Sequence, residues 1–183
     1  MIMDNRILIR CDGGRRDGFG HLVRCSALAD ELKKRHGLSS VFALRRDDRG
    51  ARFLREKGYP VERPAPDDGF EYRKWMVDAL DRSSAAVLVL DVRDEFPVSV
   101  LDDCRRCGIR VVAIDDPSDR KWKADLVFLP PVPQALRLNP ARAVGEILVG
   151  WEWIPLRSEF GWRERIRRPC RVRDAPTLSL IHI

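Results

Sequence analysis

The sequence contains no long hydrophobic run. No apolar stretch approaches the roughly 20 residues that a membrane-spanning helix requires. The first ten residues, MIMDNRILIR, also lack the basic region and long apolar segment of a secretory signal peptide. These two absences predict no membrane span and a cytoplasmic location.

The cysteines do not form a recognisable metal or disulfide pattern. The chain has five cysteines, an odd number that, without an export signal, indicates reduced thiols. Cys104 and Cys107 form a CxxC, but a structural zinc site would need a second ligand pair at suitable spacing, and none is present. The surrounding DDCRRCG is typical of a helix end that Gly108 stops. We therefore expect a structural pair, no metal and no cofactor.

The basic charge is not gathered into one block. The net charge of +6 is spread along the chain, and basic residues are not interleaved with aromatic ones as in an RNA-binding segment. We therefore expect no nucleic-acid partner, whereas the excess suits an anionic ligand such as a nucleotide diphosphate. With 183 residues, 44% hydrophobic and 34% charged, the chain has the composition of one globular domain.

The most informative stretch of the sequence is ILIRCDGGRRDGFGHLVRCSALADEL, residues 7–32. Ile7–Ile9 form an apolar run that predicts a strand covered on both faces. Asp12 begins a glycine-rich loop that continues to Gly20. The apolar residues after His21 then recur at the spacing of a helix with one buried face: Leu22, Val23, Cys25, Leu28, Ala29 and Leu32. The glycine spacing differs from GxGxxG, which argues against a nicotinamide or flavin site.

The start of this helix is a candidate anion site. The first turn of a helix has unpaired backbone N–H groups and a dipole that favours negative charge. Gly18 and Gly20, with Phe19 between them, would let a ligand approach that backbone. His21 would lie beside the ligand as a proton acceptor, and Arg24, one turn later, would reach a phosphate or pair with an acid. The alternative is that the glycines only make a tight turn and His21 caps or packs the helix.

Strands and helices alternate along the rest of the sequence. The strand predictions are residues 40–44, a short strand from Val61, and residues 85–90, 109–114, 126–129 and 147–149. The helix predictions are residues 48–57, 70–80 and 98–107. Buried strands that alternate with amphipathic helices predict a doubly wound, Rossmann-like parallel α/β sheet.

Aspartates follow several of the predicted strands. Asp12, Asp91, Asp115 and Asp116 come at or directly after strand ends, and ligands of such sheets bind outside the carboxyl ends of the strands. We therefore expect these acids to share one edge of the sheet with residues 18–21. The alternative for each is a helix cap, which the Asp116-Pro117 pair fits well. Trp151, Trp153 and Trp162 are typical of packing against the sheet rather than stacking on a base.

Three ordered segments resemble one enzyme family. They are DG…GFGHLVRCSALADEL near the N-terminus, IDDPSDRKWKADLVFLP at residues 114–130 and LVGWEWIPLRSEF at residues 148–160. The chain is similar here to the family of the UDP-sugar hydrolase of pseudaminic-acid biosynthesis and the spore-coat polysaccharide protein G. The resemblance implies a two-domain fold of the GT-B type and attack of water on the anomeric carbon of a UDP-linked diacetamido-trideoxy-altrose. It also implies His21 as general base and Arg157 as a contact to the nucleotide sugar.

The resemblance further implies a second Rossmann-like domain that holds most of the nucleotide. After Pro169 the sequence reads CRVRDAPTLSLIHI, without a glycine-rich turn. We therefore expect residues 1–160 to form the N-terminal domain and residues 161–183 a truncated interdomain segment. Two alternatives stay open: a GT-B glycosyltransferase that passes the sugar to an alcohol, and a non-catalytic domain that binds a nucleotide sugar. The full set of predicted substrate-binding residues is Asp12, Gly18, Phe19, Gly20, Arg24, Asp91, Asp115 and Arg157.

Overall fold

The computed structural model describes residues 6–14, 18–65 and 69–155. Within them the strands are β1 (Arg6–Cys11), β2 (Ser39–Ala43), β3 (Val61–Glu62), β4 (Ala85–Asp91), β5 (Arg110–Ile114), β6 (Leu126–Leu129) and β7 (Glu146–Val149). The α-helices are α1 (Gly20–His36), α2 (Asp48–Glu56), α3 (Tyr72–Ser83), α4 (Val98–Arg106) and α5 (Pro133–Leu136). Short 3₁₀ helices cover Asp119–Lys123, Pro140–Arg142 and Trp151–Trp153.

The seven strands form one parallel sheet in the order β3-β2-β1-β4-β5-β6-β7. The chain builds outward from β1 to β3 and then returns to place β4 on the other side of β1. The strand order therefore reverses between β1 and β4, and open sheets of this kind bind ligands at such a point. The predicted Rossmann-like fold is confirmed.

The core lies on both faces of the sheet, because successive residues of a strand point to opposite sides. Leu8 and Leu88 face the layer that contains Met76 of α3. Ile9 and Val89 face the layer of α1 and α2, and all five side chains are at most 3% exposed. Burying each such side chain contributes roughly 1.5–3 kcal/mol. This double coverage explains why the strands appear in the sequence as uninterrupted apolar runs.

Glycines end two of the predicted helices. Gly37 has a φ of 67°, its N–H donates to Lys33 O and the N–H of Leu38 donates to Leu32 O, which ends α1. Gly108 has a φ of 72°, and Ile109 N–H donates to Cys104 O, which closes α4 in the same way. The predicted helix end at DDCRRCG is confirmed, and it leaves Cys104 buried and Cys107 exposed.

Helix α3 begins two residues later than the sequence predicts. Phe70 precedes the extended N-cap residue Glu71, so it is not part of the helix. Its ring instead packs on those of Tyr72 and Trp75, with centroids 5.6 Å and 6.0 Å away. The apolar character that predicted a helical residue therefore reflects packing beside the helix.

Candidate active site

A polar cavity of about 390 Å³ lies at the carboxyl ends of β1 and β4. Its lining residues are Asp12, His21, Arg46, Asp91, Val92, Arg93, Asp94 and Glu95. The cavity lies where the strand order reverses, so the position that the fold favours for a ligand coincides with the position of the predicted histidine.

His21 and Asp91 form the central contact of this cavity. The Nδ1 atom of His21 lies 2.7 Å from Oδ1 of Asp91. The histidine side chain is 21% exposed, whereas that of Asp91 is 1% exposed. Because an ionised carboxylate only accepts, the Nδ1 proton is on His21. The other ring nitrogen, Nε2, is then left to accept a proton, so Asp91 fixes the tautomer of a potential general base.

Arg24 also binds Asp91. Its Nε and Nη2 atoms donate to the two carboxylate oxygens over 2.9 Å and 2.6 Å, which is the bidentate geometry of a strong charge-assisted pair. The sequence left open whether Arg24 would reach a phosphate or pair with an acid, and the structure shows the acid. Burial opposes ionisation of Asp91, but the hydrogen bonds from His21 and Arg24 outweigh it and lower the pKa of the carboxyl.

The lowered pKa of Asp91 predicts a pH-dependent contribution to stability. In the unfolded chain the carboxyl titrates at about 3.9, so its stabilising effect is complete above that pH and disappears as pH falls through the lower folded value. Asp91→Asn is expected to lower the unfolding free energy at neutral pH, with a deficit that shrinks in acid. Urea unfolding between about pH 7 and pH 3 measures this. Asp81→Asn, at an exposed position of α3, is the control, and an equal deficit for Asp91→Asn at every pH would contradict the prediction.

The glycines of the loop differ in how much space surrounds them. Gly14 N–H donates to Gly18 O over 2.9 Å, and Gly18 has a φ of 70°, which favours glycine. A side chain at Gly14 would collide with Asp47, whereas one at Gly20 would meet nothing within 4 Å among the described residues. Phe19, the N-cap of α1, provides no side-chain acceptor for the helix. Gly18 therefore serves the turn, and Gly20 leaves the helix start open to a ligand.

Asp12 holds the neighbouring loop in place. Its Oδ1 accepts from the backbone N–H groups of Arg45 and Arg46 over 2.9 Å and 3.2 Å, and its Oδ2 accepts from Arg10. Asp12 thus connects the end of β1 to the segment after β2, from which Arg46 lines the cavity.

Sequence reasoning missed Arg10. This β1 side chain is fully buried, and its Nη2 donates to Asp12 over 2.6 Å and to Asp94 over 2.7 Å, while its Nε donates to Tyr72. Burial opposes the charge of Arg10, but Tyr72 and the two carboxylates raise the pKa of the guanidinium above its ordinary value. The available signal was a charged residue within a strand that is otherwise buried, which requires a partner.

The two aspartates after β5 have different roles. Asp115, with a φ of 52°, lies 2.6 Å from Arg93 and 3.6 Å from Arg24 and is therefore connected to the cavity. Asp116 is buried, accepts from Ser118 N–H over 2.8 Å and pairs with Arg120 over 3.0 Å. Asp116 is therefore a structural residue, but it is not the predicted helix cap, because the N-cap of the following 3₁₀ helix is Ser118, whose side chain accepts from Arg120 N–H.

The remaining predicted residues lie at or beyond the end of the described chain. Trp153 stacks on Phe128 of β6 with ring centroids 6.3 Å apart, which confirms packing against the sheet. Trp151 is 58% exposed. Arg157 and Trp162 lie outside the described residues.

The described residues contain neither a cluster suited to a metal ion nor a helix that could cross a membrane. Across residues 6–14, 18–65 and 69–155, no three or more His, Cys, Asp or Glu side chains are grouped so that they could hold a metal ion. In the same ranges, every helix is too short or too polar to cross a membrane.

Comparison with solved structures identifies the type of fold. UDP-GlcNAc 2-epimerase from Neisseria meningitidis, solved with UDP-GlcNAc bound, matches 79% of this chain with a TM-score of 0.59 and 11% identity. MurG from Acinetobacter baumannii matches 70% with a TM-score of 0.53 and 11% identity. The chain has the fold of a GT-B domain. No protein-family model matches it, and no curated protein is significantly similar in sequence.

The chain spans less than half the length of these structures, 46% of the epimerase and 42% of MurG. The structural match therefore extends over less than half of each enzyme. At 11% identity it establishes the fold, and the resemblance to the hydrolase family stays a prediction.

Proposed function

We propose that this chain is the domain of a nucleotide-sugar hydrolase that supplies the catalytic general base. The enzyme would release UDP by attack of water on the anomeric carbon. The observation that carries the proposal is the 2.7 Å contact between His21 Nδ1 and Asp91 in the cavity at the β1/β4 switch point. A histidine with its tautomer fixed by a buried carboxylate is suited to removing a proton from water. The resemblance to the hydrolase family implies the same role for His21.

In the proposed reaction, His21 Nε2 takes a proton from a water molecule while the water oxygen forms a bond to the anomeric carbon. The bond from that carbon to the diphosphate oxygen breaks, and its electron pair leaves with UDP. Asp91 stabilises the imidazolium that forms, because its carboxylate faces the Nδ1–H. The open start of α1 at Gly20 and the cavity residues Arg46 and Arg93 would oppose the negative charge that develops on the leaving group.

Two observations favour a UDP-sugar as the substrate. One is the sequence resemblance, and the other is the fold, which is shared with an epimerase solved with UDP-GlcNAc. For the resembled family the sugar would be the diacetamido-trideoxy-altrose, in the synthesis of precursors for surface polysaccharide or flagellin glycans. The complete enzyme would use a second domain for most of the nucleotide contacts.

Isotope-labelled water tests the proposal. The protein in its complete reading frame, incubated with the UDP-sugar in H₂¹⁸O and without an acceptor, is expected to give UDP and a free sugar that carries ¹⁸O at its anomeric carbon. Mass spectrometry locates the label. Label in the phosphate of UDP would show cleavage at phosphorus, and no turnover without an alcohol would contradict the hydrolase.

A glycosyltransferase is the second candidate, and a second cavity favours it. This cavity, of about 320 Å³, is lined mainly by apolar groups, among them Leu129, Pro130 and Leu138, and shares Arg93 with the polar cavity. An acceptor with an apolar part would fit there, with its hydroxyl towards His21. Acceptor-dependent UDP release with apolar alcohols would support this candidate. UDP-sugar binding without any turnover, measured by calorimetry, would instead support a non-catalytic binding domain.

A further inference from the structure

Three side chains of one helical turn converge on Asp91. His21, Arg24 and Cys25 occupy positions i, i+3 and i+4 of α1, so they share one face of the helix. The first two make the contacts described above. The third, Cys25, donates from Sγ to Oδ2 of Asp91 over 3.3 Å. The sequence alone assigned Cys25 only to the apolar face of the helix.

We propose that Cys25 is a positioning residue, whose thiol holds the Asp91 carboxylate in the orientation that aligns His21. Both oxygens of Asp91 then have two donors each: Oδ1 has His21 and Arg24, and Oδ2 has Arg24 and Cys25. A carboxylate that is 1% exposed has almost no water to complete its hydrogen bonds, so the thiol satisfies a site that would otherwise be empty.

The thiol is suited to this task because it stays protonated. The neighbouring thiol of Cys11 on β1, burial and the charge of Asp91 all raise the pKa of Cys25. At neutral pH the thiol is therefore protonated, and its S–H is available as a donor to the ionised carboxylate. Cys25 therefore acts on the chemistry through Asp91 and does not touch the ligand.

A thiol that only packs would give a different result from one that donates. Cys25→Ala removes one hydrogen bond to the ionised carboxylate, so the Asp91 titration midpoint is expected to rise by about 0.5–1 pH unit. Cys25→Ser restores a donor of similar size and is expected to keep the midpoint near the original. The measurement is a ¹³C NMR titration of the labelled carboxyl of Asp91.

The other ionisable groups around Asp91 are unchanged in these variants. They are Cys11 on β1, Asp12 after β1, Arg46 after β2, Arg93, Asp94 and Glu95 after β4, and Asp115 after β5. They therefore affect the absolute midpoint equally in each protein. The difference between variants reports the Cys25 donor.

Cys104→Ala is the matched control. Cys104 is also a fully buried helical cysteine, but it lies in α4 and in the core layer on the other face of the sheet. Its loss is expected to reduce stability by a similar amount without moving the Asp91 midpoint. An unchanged midpoint in Cys25→Ala would overturn the proposal and leave Cys25 as a packing residue.

If the Cys25→Ala variant does not fold, a second measurement on the unaltered chain tests the same hydrogen bond. In the unaltered chain, the infrared S–H stretch of Cys25 is expected at lower frequency than that of Cys104 and should shift when Asp91 is protonated. An S–H frequency that does not change when Asp91 is protonated would show that Cys25 donates to Cys11 instead. This result would also overturn the proposal. The relevance of Cys25 to catalysis rests on the proposed function. Both spectroscopic measurements are independent of turnover, so the proposal for Cys25 and the proposed function can fail separately.

Discussion

Replacement of His21 by alanine is expected to slow UDP release by about 10²- to 10⁴-fold, the range attributed to a general base. The loss should appear in kcat with little change in KM, because the base acts on water and the proposed nucleotide contacts lie elsewhere. Without the imidazole, bulk water must lose its proton unaided in the transition state. Steady-state assays of UDP release by the protein in its complete reading frame measure the effect.

His36→Ala is the matched control for this prediction. His36 lies on the same helix, but in its exposed last turn at the opposite end from the cavity. Its replacement is expected to leave kcat and KM unchanged. The kcat of Asp91→Asn should fall between those of His21→Ala and His36→Ala, because the imidazole ring remains but its tautomer is no longer fixed by a carboxylate. Full turnover in His21→Ala would remove His21 from the chemistry.

Replacement of Arg10 by methionine is expected to lower the unfolding free energy by about 3–5 kcal/mol, because it removes the nearest cation from two largely buried carboxylates and leaves Asp94, among the described residues, with only the more distant Arg45 at 3.8 Å. Asp94 is 7% exposed and Asp12 is 12% exposed, so water from the cavity can replace only part of the hydrogen bonding that the guanidinium provides. One oxygen of Asp94 already lacks a hydrogen-bond partner within the described structure, and the other accepts from Arg10 and Tyr72 and lies 3.8 Å from Arg45. Urea unfolding at neutral pH measures the loss.

Arg110→Met tests whether burial, rather than the loss of any strand arginine, causes the effect. Arg110 is also a strand residue in an ion pair, with Asp125 at 2.9 Å, but its side chain is 75% exposed. Its replacement is expected to cost at most about 1 kcal/mol. Equal losses for the two variants would show that the buried network around Arg10 contributes no special stability. A smaller loss in Arg10→Lys than in Arg10→Met would show that charge accounts for part of the effect.

The sheet could be predicted because its strands are covered on both faces. The run of residues 85–90, AAVLVL, is apolar throughout, and the alternation of such runs with amphipathic helices favours a parallel sheet. The convergence of strand-end aspartates with His21 could also be predicted, since the carboxyl ends of parallel strands share one edge. Helix ends at Gly37 and Gly108 follow from local backbone conformation alone.

The pairing of charges could not be predicted. Asp91 and Asp116 both follow buried strands, yet one accepts from His21 and Arg24, and the other from Ser118 and Arg120. The donors to Asp91 lie on α1, 70 and 67 positions away in the sequence, whereas the donors to Asp116 lie two and four positions after it. Arg10 shows the same limit, because its partner Asp94 is 84 positions away in the sequence.

The sequence by itself determined the alternation of strands and helices, the glycine turn and the presence of a histidine at the start of α1. These depend on interactions within a few residues and on the burial of apolar surface, which a pattern of residue types records. Only the tertiary structure decided that Asp91 faces the histidine and that Arg10 binds two carboxylates. Hydrogen bonds between buried charges depend on the relative positions of distant segments, and those positions are fixed only when the whole sheet has packed.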